Sequence, residues 1–152
     1  MPPIFNQRMT AQLDEDFVVF LIGLRINKPW KIHQWWPVFS AMPKMLRELY
    51  QHPELGFISQ ESWLGRTTIM VQYWKSFEHL ESYAKNPSRV HLPAWAEFNK
   101  KVANSGDVGI WHETYLSGPG RSESVYTNMP RFGLAKAGEH LPVSGALKDA
   151  KG

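Results

Sequence analysis

Apolar residues fill Phe17 to Ile22 and return at Leu24, so that Phe17, Val19 and Leu21 alternate with Val18, Phe20, Ile22 and Leu24 and both faces are hydrophobic. This pattern predicts a strand over residues 16–24, in the middle of a sheet and covered on both sides. From Ile32 to Tyr50 the spacing changes to that of a helix, carried by Ile32, Trp35, Trp36, Phe39, Met42, Leu46, Leu49 and Tyr50. Pro37 and Pro43 are expected to kink or divide it, with Ser40 capping a fresh helix that takes Pro43 in its first turn. Turn chemistry at residues 51–56 leads into two strands, 57–64 and 67–74, which read as a hairpin across Gly65-Arg66. Ser76 is a good N-cap for a short helix with Phe77, Leu80 and Ala84 on one face. Asn86-Pro87 ends that helix, and His91, Trp95, Phe98 and Val102 then mark one side of another. A fourth strand is predicted over residues 108–116, VGIWHETYL.

The order strand, helix, two strands, helix, strand is that of an α+β, ferredoxin-like βαββαβ unit over residues 16–116, an antiparallel sheet with helices on one face. The second face then needs a cover, and an identical sheet related by a twofold axis is the simplest. Residues 1–15, polar and broken by prolines, are expected to be an arm without periodicity. Residues 117–143 are rich in Gly and Pro yet carry Tyr126, Met129, Phe132 and Leu134, which predicts an ordered extension draped over the body or a neighbour. Residues 144–152 are expected to be a flexible tail.

A chain of 152 residues suits one domain with a self-sufficient core. It has no cysteine, which removes thiolate catalysis, disulfides and cysteine-ligated metals, and fits a reducing, cytoplasmic setting. The net charge is only +3 and the basic residues are scattered, so no nucleic-acid partner is expected. No stretch is long and apolar enough for a signal peptide or a membrane span. Seven tryptophans, eight phenylalanines and five tyrosines suit a core, an interface or a pocket for a flat apolar ligand. The motifs of zinc proteases, dinucleotide folds, phosphate loops and hydrolase elbows are missing.

His91 is the candidate with chemistry. Pro93 is tolerated only in a first helical turn, so His91 sits at a helix N-terminus on the side of the core aromatics. The helix dipole and apolar neighbours both disfavour imidazolium there, leaving a neutral ring that can be a base, a hydrogen-bond partner or a metal ligand. The plainer alternative is a core histidine satisfied by a backbone carbonyl. His112 and Glu113 are adjacent on a strand and therefore point to opposite faces, so they cannot act as a direct pair. One of them lining a pocket, and structural hydrogen bonds for both, are alternatives. Arg25 and Asn27 follow the first strand, as ligand contacts at a pocket mouth or as solvated loop residues.

The runs YWKSFEHLESYA, HLPAWAEFN, VGIWHETY and VYTNMPRFGLAKA, with FLIGLRINK and MPKMLREL, resemble the small family typified by the fungal fumagillin-pathway polyketide monooxygenase. That family is related to the antibiotic-biosynthesis-monooxygenase class of dimeric α+β barrels. The resemblance spans about residues 16 to 135. It implies a homodimer formed by sheet-to-sheet packing and a pocket in each protomer between sheet and helices. In the wider superfamily such pockets oxygenate polyketide or quinol-like substrates without a cofactor, or bind haem b through a helix histidine. His91 falls in the helical region where those haem proteins place their iron ligand.

These readings converge on a monooxygenase-like enzyme oxidising a flat, hydrophobic secondary metabolite. His91 is the expected base or haem ligand, and His112 or Glu113 is expected to assist proton transfer. Trp36, Trp63, Trp74, Trp95, Trp111 and Phe39 are the expected pocket walls, against the alternative that they are core. Two other functions stay open, a haem-dependent dehydratase of the aldoxime dehydratase type and a non-catalytic dimer that binds a hydrophobic ligand.

Overall fold

The computed structural model describes residues 1–101 and 104–143; Val102 of the predicted helical stripe and the tail over 144–152 lie outside the described residues. A four-stranded antiparallel sheet forms the centre of the protein. It is built from β2 (Phe17–Ile26), β3 (Phe57–Trp63), β4 (Ile69–Trp74) and β5 (Val108–Ser117) in the order β3-β4-β2-β5. With α1 (Ile32–Gln51), α2 (Phe77–Lys85) and α3 (His91–Lys101) between the strands, this is the ferredoxin-like arrangement expected from the sequence. Among the described residues no helix is long and apolar enough to cross a membrane.

Register explains which side chains share a face. Ile22 of β2 lies opposite Met70 and His112, and Phe20 lies opposite Gln72 and Thr114. Because alternate residues of a strand point to the same side, Phe20, Ile22, Gln72, His112 and Thr114 all rise toward the helices. Glu113, Trp111 and Tyr115 point the other way with Leu21, Gly23 and Val19.

Two apolar clusters join the helices to the sheet. Val18, Leu49, Phe57, Trp74, Leu80 and Tyr83 form one, and Leu24, Phe98 and Val108 form the other with Trp35, Val38 and Phe39 against it. Each fully buried large apolar side chain contributes roughly 1.5–3 kcal/mol. Both clusters draw on α1, one near each end, and this accounts for a departure from expectation. The helix runs through Pro37 and Pro43 without being divided. Packing at both ends outweighs the two backbone donors that the prolines remove, and Ser40 caps nothing: its Oγ donates to the carbonyl of Pro37 at 3.2 Å. Ser76, in contrast, caps α2 as predicted, its Oγ accepting from the amide of His79 at 3.1 Å.

The arm and the extension hold a second departure. Residues 9–12 form β1 (Met9–Gln12), which pairs antiparallel with β6 (Glu139–Pro142). Four residues are too few to show a period, so a strand made by pairing with a partner distant in sequence leaves no local trace. The extension also carries α4 (Leu134–Ala137) and lies on part of the sheet face away from the other helices. Glu61 of β3 holds it there, accepting from the Gly133 amide at 3.1 Å and pairing with Lys136 at 2.9 Å, while Trp63 meets Phe132 edge-on at 6.0 Å. The chain thus covers part of the second face itself; Tyr115 on that face remains 52% exposed.

Candidate functional site

The cleft between the sheet and the three long helices encloses a cavity of about 430 Å³. Its sheet side is Phe20, Ile22, Met70, Gln72, Trp74, Ile110, His112 and Thr114, and its helix side includes Met42, Met45, Leu80, Tyr83, His91 and Trp95. A smaller cavity of about 120 Å³ continues from it past Ile22, His91 and Trp95 toward His33, Gln34 and Lys101. Combined, they match the size and mostly apolar lining of pockets that take small molecules.

His91 is the first residue of α3, and Pro93 falls in the first turn as expected. Its backbone is delivered by a carboxylate: Glu48 of α1 accepts from the amide of Val90 at 3.0 Å and from the Tyr83 hydroxyl at 3.0 Å. Arg89 adds a longer ion pair to Glu48 at 3.8 Å. The Tyr83 ring then lies 6.1 Å from the His91 ring. Burial lowers the pKa of His91 below the usual histidine value, and the positive charge that His112 acquires on protonation lowers it further. His91 is therefore neutral near pH 7, and its ring lies in a mostly apolar cavity that His112 also lines. His112 is held by β5 against Phe20, ring to ring at 5.7 Å.

The strand β4 contributes a polar group that pattern reading passed over. Gln72 is 7% exposed, and its Oε1 accepts from the Trp74 indole at 2.9 Å while its Nε2 donates to the Met70 sulfur at 3.0 Å. The signal was present as a lone amide between Met70 and Trp74, on the face that the register turns toward the helices. Thr114 joins it across β2.

The structure brings together His91, His112, Trp74 and Trp95 around the cavity and does not bring the other candidates there. Glu113 is on the opposite face, where its Oε2 accepts from the Tyr115 hydroxyl at 2.7 Å. Trp111 shares that face, by the same two-residue alternation. Trp63 packs on Phe132 of the extension. Trp36 stacks on Phe39 at 5.8 Å, and Phe39 belongs to the core cluster around Leu24. Arg25 donates to Thr67 at 2.7 Å and Asn27 to the Gly106 carbonyl at 3.2 Å, both away from the cavity lining. Among the described residues no group of three or more histidine and carboxylate side chains is placed to hold a metal ion.

Comparison with known proteins agrees with this architecture. Monooxygenase af470 of Aspergillus fumigatus is 30% identical to the chain over an alignment 122 residues long, which covers 73% of this chain and 42% of that protein. The chain thus spans less than half the length of that relative. Among solved structures, Rv0793 from Mycobacterium tuberculosis superposes with a TM-score of 0.50 at 12% identity, covering 70% of this chain and 99% of its own. SnoaB, a cofactor-independent oxygenase from Streptomyces nogalater, gives a TM-score of 0.47 at 12% identity over 66% of this chain and 91% of its own. The model of the family described as monooxygenase af470-like matches residues 17–134, the whole sheet with its helices and most of the extension, and the chain belongs to that family.

Proposed function

We propose that the chain is a monooxygenase-like oxidoreductase that oxidises a flat, hydrophobic, weakly acidic metabolite in the cleft between sheet and helices. The observation that carries this reading is the pair His91 and His112 lining one apolar cavity, with His91 held neutral by burial. A neutral imidazole in a mostly apolar cleft is suited to take a proton from a C–H or O–H acid, and His112 is suited to hold or return one. The carbanion or phenolate so formed is electron-rich enough to reduce dioxygen directly. For a methylene flanked by aromatic rings the overall balance is one CH2 and one O2 giving one C=O and one water. The residues bind, orient, deprotonate and exclude water, and the electrons come from the substrate. Family membership supports the reading.

Haem b is the cofactor that the wider fold would suggest, with His91 as its ligand. The larger cavity holds Glu81 and no lysine or arginine, and the cations nearest to it, Lys101 and His33, line the smaller cavity that continues from it, so His91 would hold the iron and Lys101 would face a propionate. No step is assigned to haem. A second copy packed on the sheet face around Tyr115 belongs to the proposal, and sedimentation tests it.

Oxygen consumption with anthrone as substrate tests the function. His91→Gln should lower the rate by about 10²- to 10⁴-fold, the usual contribution of a general base, while circular dichroism stays unchanged. An undiminished rate in a folded variant would take His91 out of the mechanism. Tight binding of anthrone without oxygen uptake in the wild type would make the protein a ligand carrier.

A further inference from the structure

Gln72 is more than 90% buried and lines the larger cavity, yet one of its donors has no adequate partner. Its orientation is fixed by chemistry. The Trp74 indole N–H only donates, so the atom it meets at 2.9 Å has to be the carboxamide oxygen, and the NH2 group is turned to the other side. That NH2 carries two hydrogens. One points to the Met70 sulfur at 3.0 Å, a weak acceptor, and among the described residues neither hydrogen meets an oxygen or nitrogen. Buried donors are normally bonded, and one left over in an apolar cavity marks where a ligand atom belongs.

We infer that Gln72 is a substrate-positioning residue whose carboxamide N–H binds a carbonyl or phenolate oxygen on the ring system of the substrate. The inference rests on the oxidative reading of the same cleft and narrows its substrates to ring compounds that carry an oxygen acceptor. Trp74 locks the amide before the ligand arrives, so little ordering cost falls on binding. Thr114, paired with Phe20 across from Gln72, lines the same wall, and His112 is two residues before it on β5. An oxygen held at Gln72 therefore anchors the ring on the same sheet wall as His112, in the cavity that His91 lines from the helix side. An N–H donated to that oxygen also stabilises the negative charge it gains when an adjacent C–H is removed.

The test uses two probes of the same flat shape, 1,4-naphthoquinone and naphthalene, with dissociation constants measured by calorimetry. Gln72→Met keeps length and volume but removes the donor. It should weaken naphthoquinone about tenfold and leave naphthalene within about twofold, the loss expected for one hydrogen bond. Gln72→Glu keeps an acceptor for Trp74 and serves if the Met variant does not fold; at pH 8 it should weaken naphthoquinone at least as much. Equal weakening of both probes, or of neither, overturns the role of Gln72. Because binding is read without turnover, a protein that discriminates the probes but takes up no oxygen would sink the enzymatic reading and leave this one standing.

Discussion

Glu48 of α1 accepts the Tyr83 hydroxyl of α2 at 3.0 Å, and the same oxygen takes the amide of Val90 at the entry to α3. One half-buried carboxylate thereby fixes three helices relative to one another beside His91. Replacing it by Ala strands a hydroxyl and an amide N–H, each costing roughly 1–3 kcal/mol if left unsatisfied. Glu48→Ala should therefore lose about 2–4 kcal/mol in urea unfolding and lower kcat through a displaced His91. Glu48→Gln retains an acceptor oxygen and should recover most of both. A Gln variant as damaged as the Ala variant would show that charge, and not positioning, is what matters there.

The neutrality of His91 has a sign that can be measured. Its folded pKa is depressed, first by burial and then by His112, so between the ordinary value of 6.5 and the lowered one the unfolded chain binds the extra proton. Stability is then fully present above about pH 6.5 and falls as pH drops toward the folded pKa, below which the loss is complete. The base also stays active below pH 6.5. Thermal unfolding across pH 4–8 should show a shallower acid decline in His91→Gln than in wild type, and the acid limb of kcat/KM should lie below pH 6.5. Parallel unfolding curves for the two proteins would contradict this.

Why the fold was legible while half of the site was not can be traced to particular residues. The all-apolar run of β2 announced a central strand, and Ser76 and Pro93 marked helix starts that the structure retains. Strand parity alone separated His112 from Glu113. What parity cannot supply is which face the helices occupy or how a helix is rotated, and those decided that Trp36, Phe39, Trp63 and Trp111 lie away from the cavity. Gln72 was hidden for another reason: its importance rests on a bond to Trp74 two residues along, and a side-chain orientation is not a period. Glu48 and Tyr83 are 35 residues apart, too far for any local pattern to join them.

Pro43 tests whether packing carries α1 through its prolines. A proline inside a helix costs about 3 kcal/mol relative to Ala, offset in part because it also restricts the unfolded chain. Pro43 is exposed and outside the cavity lining, so Pro43→Ala should raise stability by about 1–3 kcal/mol with no change in naphthoquinone affinity. A destabilised variant would mean that the helix needs a bend at this point to follow the sheet.

Asp107, just before β5, is paired with Lys28 at 2.7 Å and Lys31 at 2.9 Å and ties the approach to α1 to the start of β5. The hydrogen bond from Lys28 and then that from Lys31 hold its carboxyl below the ordinary value of 3.8. A depressed carboxylate stabilises the fold above its unfolded pKa and ceases to do so as pH falls through the folded one. Asp107→Asn should therefore melt at a lower temperature than wild type at pH 7, and the gap should narrow as pH falls below the ordinary carboxyl value of 3.8. A gap independent of pH would assign the effect to packing or to the backbone instead.

Gly133 separates the extension from the site in the same manner. Its φ of 58° and ψ of −127° put it in a region that residues with a Cβ avoid, and its amide is the one that Glu61 accepts. A Cβ built there would lie 3.5 Å from the Tyr73 hydroxyl and 3.6 Å from that of Tyr126, which is ordinary contact. The penalty for Gly133→Ala is therefore backbone strain and not a clash, about 1–3 kcal/mol. Because the extension lies on the sheet face opposite the cavity, the variant should unfold at lower urea yet bind naphthoquinone as the wild type does. If affinity falls along with stability, the extension shapes the cavity through the sheet, and the two faces are coupled where the structure shows only a shared set of strands.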